Sequence, residues 1–341
     1  MYRSAILLLT ALLLLSGACA RQGDYVRIEG FAQGSTYHVI CHPVKGMNAA
    51  RLQARFDARL QEIDQSLSGY NKGSLLSRLN AGEDLPLDGL FIECFERSKE
   101  IWAESGGAFD PSAAPLFDLW GFGFSNKGQV SDAAIDSILA FVGMDLLTLE
   151  ERTDGTHLVK ADPRCQLNFN AIAQGYSCDV VARILDSLGC SDYLVDIGRE
   201  IRCKGRNAAG EKWRIGLDRP SDGNMEEGKD LQAILHVSDC GIVTSGNYRK
   251  FYVKDGRKYA HTIDPRTGYP VTHDLLSATV VAPTAAEADA LATACMVLGP
   301  EGAKSLIEGR QDLEGYLITA DGTWMSEGFR ARAQMEDIPQ K

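Results

Sequence analysis

The chain predicts an α+β fold, one large domain with room for two subdomains, on three observations. Short β-type runs recur with Gly and Asp-Gly punctuation that suits antiparallel hairpins. Amphipathic stretches with helical spacing lie among them. The two kinds of segment do not alternate in the strict strand–helix beat that a parallel α/β sheet needs.

The elements follow in order. Strand-like residues run from Tyr25 to Phe31 and from Tyr37 to Cys41, with Gln33-Gly34-Ser35-Thr36 as the turn between them. Leu52, Phe56, Leu60, Ile63 and Leu67 then recur on one helical face. Further helices are predicted over Leu90 to Ser105, ended by Gly106-Gly107, and over Asp132 to Val142. A strand over Gln166 to Phe169 leads into a helix from Ala173, with Val180, Ile184, Leu185 and Leu188 on its apolar face and Gly189 as its stop. Strands resume at Tyr193 to Ile197, Trp213 to Leu217 and Leu231 to Val237, with Ser221 to Lys229 as a polar loop. Tyr248 to Lys254 and Lys258 to Ile263 form a hairpin around Asp255-Gly256-Arg257, and Leu276 to Ala282 is another strand. Thr284 and Glu287 make a capping box that opens a helix closed by Gly299-Pro300. A final hairpin, Gly315 to Thr319 and Thr323 to Ser326, turns at Asp321-Gly322 before a charged tail.

The 341 residues are 45% hydrophobic and 24% charged, which excludes disordered and fibrous classes. A formal net charge of −11 argues against nucleic acid as a partner, since that partner selects a basic surface. A phosphate-bearing ligand would therefore need a cation to supply positive charge. At the N-terminus, Arg3, the apolar run Ala5 to Leu15 and Ser16-Gly17-Ala18-Cys19 resemble a bacterial lipoprotein signal, with Ser16 departing from the usual Leu. Residues 1–18 are thus expected to be removed, Cys19 to carry lipid, and residues 19–24 to act as a tether. The domain would span residues 25–330, followed by a polar tail over 331–341. Such a chain would be anchored to the cell envelope, its domain facing the periplasm or exterior. The eight other cysteines lack metal-site spacing and are expected to be small packing residues.

Four segments carry candidate chemistry. Between Lys258 and Val271 the run KYAHTIDPRTGYPV concentrates His261, Asp264, Arg266 and Thr267 in a loop that Pro265 and Gly268 shape. His261 or Asp264 could accept a proton there, and the sequence does not choose between them. Asp289 and Thr293 stand one helical turn apart, so a carboxylate and a hydroxyl could meet one hard cation such as Mg²⁺, although such a pair is most often a solvated face. Asn168 to Tyr176 reads as a turn into a helix start, which favours an anion. Leu119-Trp120-Gly121-Phe122-Gly123-Phe124 could wall a flat heterocycle or simply pack a Trp.

Taken in order, Gly34-Ser35-Thr36-Tyr37, Phe109-Asp110-Pro111, Leu119-Trp120-Gly121-Phe122, Ala171-Ile172-Ala173-Gln174-Gly175-Tyr176, Thr244-Ser245-Gly246-Asn247-Tyr248, His261 to Pro270 and Asp289-Ala290-Leu291-Ala292-Thr293 resemble the ApbE family of FAD:protein FMN transferases. The resemblance implies an ApbE-like arrangement of mixed sheets with packed helices. It also implies Mg²⁺-dependent transfer of the FMN half of FAD to a Thr or Ser hydroxyl of an acceptor flavoprotein, by analogy a subunit of a membrane redox complex, with release of AMP. It places the metal at Asp289, Thr293 and the carbonyl of Ala171. FAD contacts are implied at Gln33, Tyr70, Ala108, Phe109, Asp110, Asn168, Gln174 and Ile263. The chain departs from the family pattern at Gln33 (often Met), Asn168 (often Asp), Gln174 (usually Lys or Glu) and Arg199, which replaces the second Gly of an Ile-Gly-Gly pattern. An FAD pyrophosphatase that yields FMN and AMP, or a lipid-anchored flavin binder without catalysis, are the rival readings.

Overall fold

The computed structural model describes residues 25–124, 129–221, 228–247, 251–254, 257–260 and 262–338. The signal segment with Cys19, the tether, Tyr248, the Asp255-Gly256 turn and His261 lie outside the described residues.

β1 (Val26–Ala32) and β2 (Ser35–Cys41) form the first hairpin, in register from Val26 opposite Cys41 to Ala32 opposite Ser35. Gln33 and Gly34 turn it at φ 53° and 76°, the left-handed pair whose twist suits a two-residue connection. α1 (Ala49–Leu67) starts where the Asn48 side chain accepts from Arg51 N–H, and it buries the apolar stripe from Leu52 to Leu67. α2 (Leu75–Asn80), α3 (Gly89–Glu104), α4 (Ala114–Trp120) and α5 (Asp132–Leu139) follow. α5 stops short of Val142 because the chain tightens into turns at Phe141 and Val142. β3 (Leu147–Arg152) and β4 (Gly155–Lys160) make a hairpin whose polar, exposed face gives no apolar alternation to read.

The strand expected over Gln166 to Phe169 is not there. Its backbone groups are taken by an amide and a loop: Asn80 Oδ1 accepts from Leu167 N–H at 2.8 Å, Asn80 Nδ2 donates to Leu167 O at 2.8 Å, and Asn168 N–H donates to Pro111 O at 2.8 Å. The remaining elements are α6 (Ala173–Ser187), β5 (Tyr193–Ile197), β6 (Glu200–Lys204), β7 (Trp213–Asp218), β8 (Leu231–Val237), β9 (Cys240–Gly246), β10 (Phe251–Lys254), β11 (Arg257–Ala260), β12 (Leu275–Ala282), α7 (Ala285–Glu308), β13 (Glu314–Thr319), β14 (Thr323–Met325), α8 (Phe329–Ala333) and β15 (Glu336–Asp337). Leu188 caps α6 and is exposed, so it is not part of the apolar face.

Eight strands pair antiparallel in the order β1-β2-β5-β6-β9-β12-β13-β14. One face of this sheet carries α1, α6 and α7 over the main core, which includes Tyr37, Phe56, Tyr193 and Leu291. The other face packs Ile201, Cys203, Ile242 and Tyr316 against the three-stranded sheet β15-β8-β7 through Trp213, Leu217 and Leu235. A smaller cluster joins α4 and α5 to Ile263. The C-terminal segment is not a tail from residue 331: Ala333 and Met335 are buried and β15 pairs with β8, so the domain runs to at least Ile338. The eight described cysteines are all buried and free of disulfides, in keeping with packing roles. No helix among the described residues is long and apolar enough to cross a membrane.

α7 holds the site in place. Thr284 caps it, accepting from Glu287 N–H at 3.2 Å, and Asp179 of α6 accepts from Ala285 and Ala286 N–H at 3.0 and 2.9 Å. Three amides of a helix start are thereby satisfied. The helix breaks at Gly299, whose φ of 73° and ψ of −177° interrupt it where Gly299-Pro300 forecasts a stop, and a second helical stretch continues to Glu308.

Candidate active site

Asp289 lies on the first half of α7 and is buried against the start of α6. Gly175 makes this approach close, because a Cβ there would lie 2.3 Å from Ala285 O and 2.9 Å from Asp289 Cβ. Gly175 N–H, one of the amides that a helix start leaves without an internal partner, donates to Asp289 Oδ2 at 3.2 Å. The anion expected at this helix start is therefore the protein's own carboxylate. Burial pushes Asp289 up to about 7, and the neighbouring Asp179 adds to the shift. Thr293 is half-buried one turn further along α7.

Four more oxygen-bearing side chains gather at the same helix start. Gln33 Nε2 donates to Ser177 Oγ at 2.6 Å, Ser177 Oγ donates to Ala173 O at 2.6 Å, and Gln33 Oε1 is buried without a partner. Gln174 Nε2 and Glu200 Oε2 lie 2.2 and 3.1 Å from the point that a Cβ on Gly198 would occupy, and that Glu200 oxygen is also buried without a partner. Burial raises Glu200 well above the usual carboxylate range, with Asp289 its strongest charged neighbour.

These donors fit a hard divalent cation: one buried carboxylate, a hydroxyl one turn away and uncommitted amide and carboxyl oxygens. No group of three or more His, Cys, Asp or Glu among the described residues forms an all-protein metal cage. Mg²⁺ is commonly held by one or two carboxylates and completes its shell with water and ligand phosphate. The half-buried Ala171 precedes α6 at this end, where its carbonyl is the third implied ligand.

A second group lies around Asp110. Its carboxylate accepts from Ser112 N–H at 2.8 Å, Ser112 Oγ at 2.6 Å and Trp102 Nε1 at 3.0 Å, and burial pushes it up to about 6. Ala108 and Phe109 are buried in the main core, so their side chains pack and only backbone remains to meet a ligand. Ile263 is buried in the α4–α5 cluster and is equally a packing side chain. Asp264 and Arg266 close on each other, with Arg266 Nε at 2.9 Å from Asp264 Oδ1 and its terminal nitrogen at 2.8 Å from Oδ2. Arg266 lines a cavity of about 520 Å³ with Trp102, Gly107, Asp110 and Pro265. Of the two candidate proton acceptors, Asp264 is thus held in a bidentate ion pair, while His261 lies outside the described residues.

Asn168 is held by the loop that follows Asp110. Its N–H is tied to Pro111 O, and its side chain accepts from Asn170 N–H at 2.9 Å. Asn170 Nδ2 donates to the hydroxyl of Tyr70, which is 67% exposed and meets Phe124 edge-to-face at 4.8 Å. An aromatic face left this open beside the loop is a stacking surface. Trp120 is instead buried with Nε1 donating to Gly268 O at 2.8 Å and Phe122 packs against its cluster, so of the three aromatics in Leu119 to Phe124 it is Phe124 that meets Tyr70. Arg199 adopts φ 85° and pairs with Asp218 of β7 at 2.7 Å. Its guanidinium is therefore held at β7 by that carboxylate.

The ApbE family model matches residues 33–317. The chain belongs to the ApbE family. An FAD:protein FMN transferase of Escherichia coli K12 is 36% identical over 313 residues, covering 89% of this chain and 88% of that protein. The crystal structure of the apo flavinyl transferase ApbE of Pseudomonas stutzeri superimposes with a TM-score of 0.80 at 33% identity, covering 91% of this chain and 97% of that one. The flavin transferase ApbE of Vibrio cholerae gives 0.79 at 33% identity, over 91% and 99%. The structure brings Asp289, Gln33 and Gln174, which the ApbE resemblance implies as ligand contacts, together at the start of α6. Glu200, which no motif singles out, lies in β6, where polar Glu200, Arg202 and Lys204 alternate with apolar Ile201 and Cys203.

Proposed function

We propose that this chain is an Mg²⁺-dependent FAD:protein FMN transferase anchored to the cell envelope through a lipid on Cys19. The observation that carries the catalytic reading is the buried, metal-type carboxylate of Asp289 set on the start of α6 in a chain matched along most of its length to ApbE flavin transferases. An acceptor Thr or Ser hydroxyl attacks the FMN-side phosphorus of FAD. A new P–O bond forms to the acceptor, the bridging P–O bond breaks, and AMP leaves with the bond's electron pair. The hydroxyl proton passes to His261. Asp289, Thr293 and the Ala171 carbonyl would hold the cation, which would supply charge neutralisation on the diphosphate. Tyr70 stacks the flavin, Gln33, Asn168 and Gln174 contact the dinucleotide, and the backbone of Ala108, Phe109, Asp110 and Ile263 borders it. Asp264 fixes Arg266 toward the cavity beside Asp110, a fixed cation for a substrate whose charge is negative.

The test is mass spectrometry of a Thr/Ser-bearing flavoprotein subunit incubated with FAD, Mg²⁺ and this protein. One added FMN on the subunit together with AMP is the expected result. FMN and AMP free in solution with an unmodified subunit would mean that water is the acceptor, and no AMP at all would leave only flavin binding.

The Asp289 shift also sets a pH dependence. The native carboxyl holds its proton up to about 7, against an ordinary value of 3.8 in the unfolded chain. The native state therefore binds more protons between those values, so this group's contribution makes the metal-free protein lose stability as pH rises through that window and stay level above it. Thermal melts of EDTA-treated protein should show a decline there that Asp289→Asn lacks. Over the same window Mg²⁺ binding should strengthen, because the cation competes with the proton.

A further inference from the structure

β6 presents its side chains to two different layers. Ile201 and Cys203 enter the core shared with the three-stranded sheet. Glu200, Arg202 and Lys204 take the opposite, helix-facing side, where Arg202 donates to Pro283 O just before α7 and Lys204 pairs with Asp186 of α6 at 2.8 Å. Arg202 and Lys204 thus tie the sheet to α7 and α6. Glu200, the third in that row, has no such employment. Its backbone oxygen is fixed by Cys178 Sγ at 2.9 Å, yet its side-chain Oε2 is buried without a partner. A buried oxygen without a hydrogen bond destabilises a fold, and this one is kept beside Gln174 and Asp289.

We propose that Glu200 is a positioning residue for the divalent cation, its uncommitted oxygen accepting hydrogen bonds from the hydrated cation at Asp289 and so orienting that shell. The inference rests on the metal reading above. Glu200 stands in the outer ring of the site while Asp289 ligates directly. Gly198, held at φ 65°, leaves open the space that Gln174 and Glu200 share, since a Cβ there would strike both. Gln174 offers its amide toward the same space, so the pair presents one donor and one acceptor to whatever fills it.

The test uses Mg²⁺ alone, titrated calorimetrically into the full chain and its variants, with thermal melting in EDTA alongside. Glu200→Gln keeps the shape and removes the strong acceptor. It is expected to weaken Mg²⁺ binding roughly 10–100-fold, the usual effect of losing an outer partner of a metal site, while the metal-free melt stays at or above wild type. Glu200→Asp, which keeps the carboxyl group on a shorter stem, should fall between the two. Wild-type Mg²⁺ affinity in Glu200→Gln would overturn the proposal, as would a lowered melt with affinity unchanged, which marks a structural group. Asp289→Ala separates the two levels: if it loses Mg²⁺ and Glu200→Gln does not, only the Glu200 role fails. If Asp289→Ala binds Mg²⁺ as wild type does, the metal reading itself fails and takes this role with it.

Discussion

Asp289→Ala is expected to abolish Mg²⁺-dependent release of AMP from FAD while the protein stays folded. A loss of roughly a thousandfold or more corresponds to about 4 kcal/mol of barrier, the scale that a bound cation supplies by neutralising charge on a transferring phosphoryl group. The fold should survive because this carboxylate is an electrostatic burden in the metal-free chain: burial pushes it up to about 7, and only Gly175 N–H is seen to bond it. Steady-state AMP production with and without Mg²⁺, run beside a melt in EDTA, checks both halves. Undiminished AMP release from the variant would remove Asp289 from the metal site. A variant that cannot fold would show that the residue serves the α6–α7 contact instead.

Gly175→Ala is the second large effect, and here stability and activity should fall together. The added methyl would lie 2.3 Å from Ala285 O, a backbone atom that cannot swing aside, so α6 and α7 must move apart. Overpacking of this kind costs about 1–3 kcal/mol. The separation also draws Gly175 N–H away from Asp289, so Mg²⁺ affinity should drop even at temperatures where the variant is fully native. Chemical denaturation and calorimetric Mg²⁺ titration at one temperature measure the two parts. A native melt with unaltered Mg²⁺ binding would show that the two helices have room that the geometry denies.

Much of this arrangement was legible in the residues themselves. Gln33-Gly34 forecast the first turn, the stripe from Leu52 to Leu67 forecast α1, and Thr284 with Glu287 forecast the start of α7, because each is decided by neighbours in the chain. Gly299-Pro300 forecast the break for the same reason. What escaped depends on distant partners. Gln166 to Phe169 look like a strand, yet the Asn80 amide and Pro111 carbonyl take up that backbone from far along the chain. Residues 331–338 look like a polar tail because the strand that receives β15 lies about a hundred positions earlier, and no local pattern reveals it. At the site, the ApbE resemblance implies roles for Asp289, Gln33 and Gln174, whereas the placement of Arg199 and Glu200 required the sheet: Arg199, at φ 85°, turns just before β6 and pairs with Asp218, and Glu200 opens that strand with Asp289 as its strongest charged neighbour. Asp110, legible as a ligand contact, proved to be a hub that fastens Trp102 and Ser112.

The double grip of Asp179 on Ala285 and Ala286 ties the start of α7 to the body of α6. Because each helix supplies a partner the other lacks, the two should open and close as one cooperative unit rather than fraying separately. The conformational freedom of that region is surrendered when the chain folds, before any dinucleotide arrives. Capture of the ligand then needs little further ordering of backbone around the diphosphate, and the affinity it would otherwise have lost to that ordering is kept.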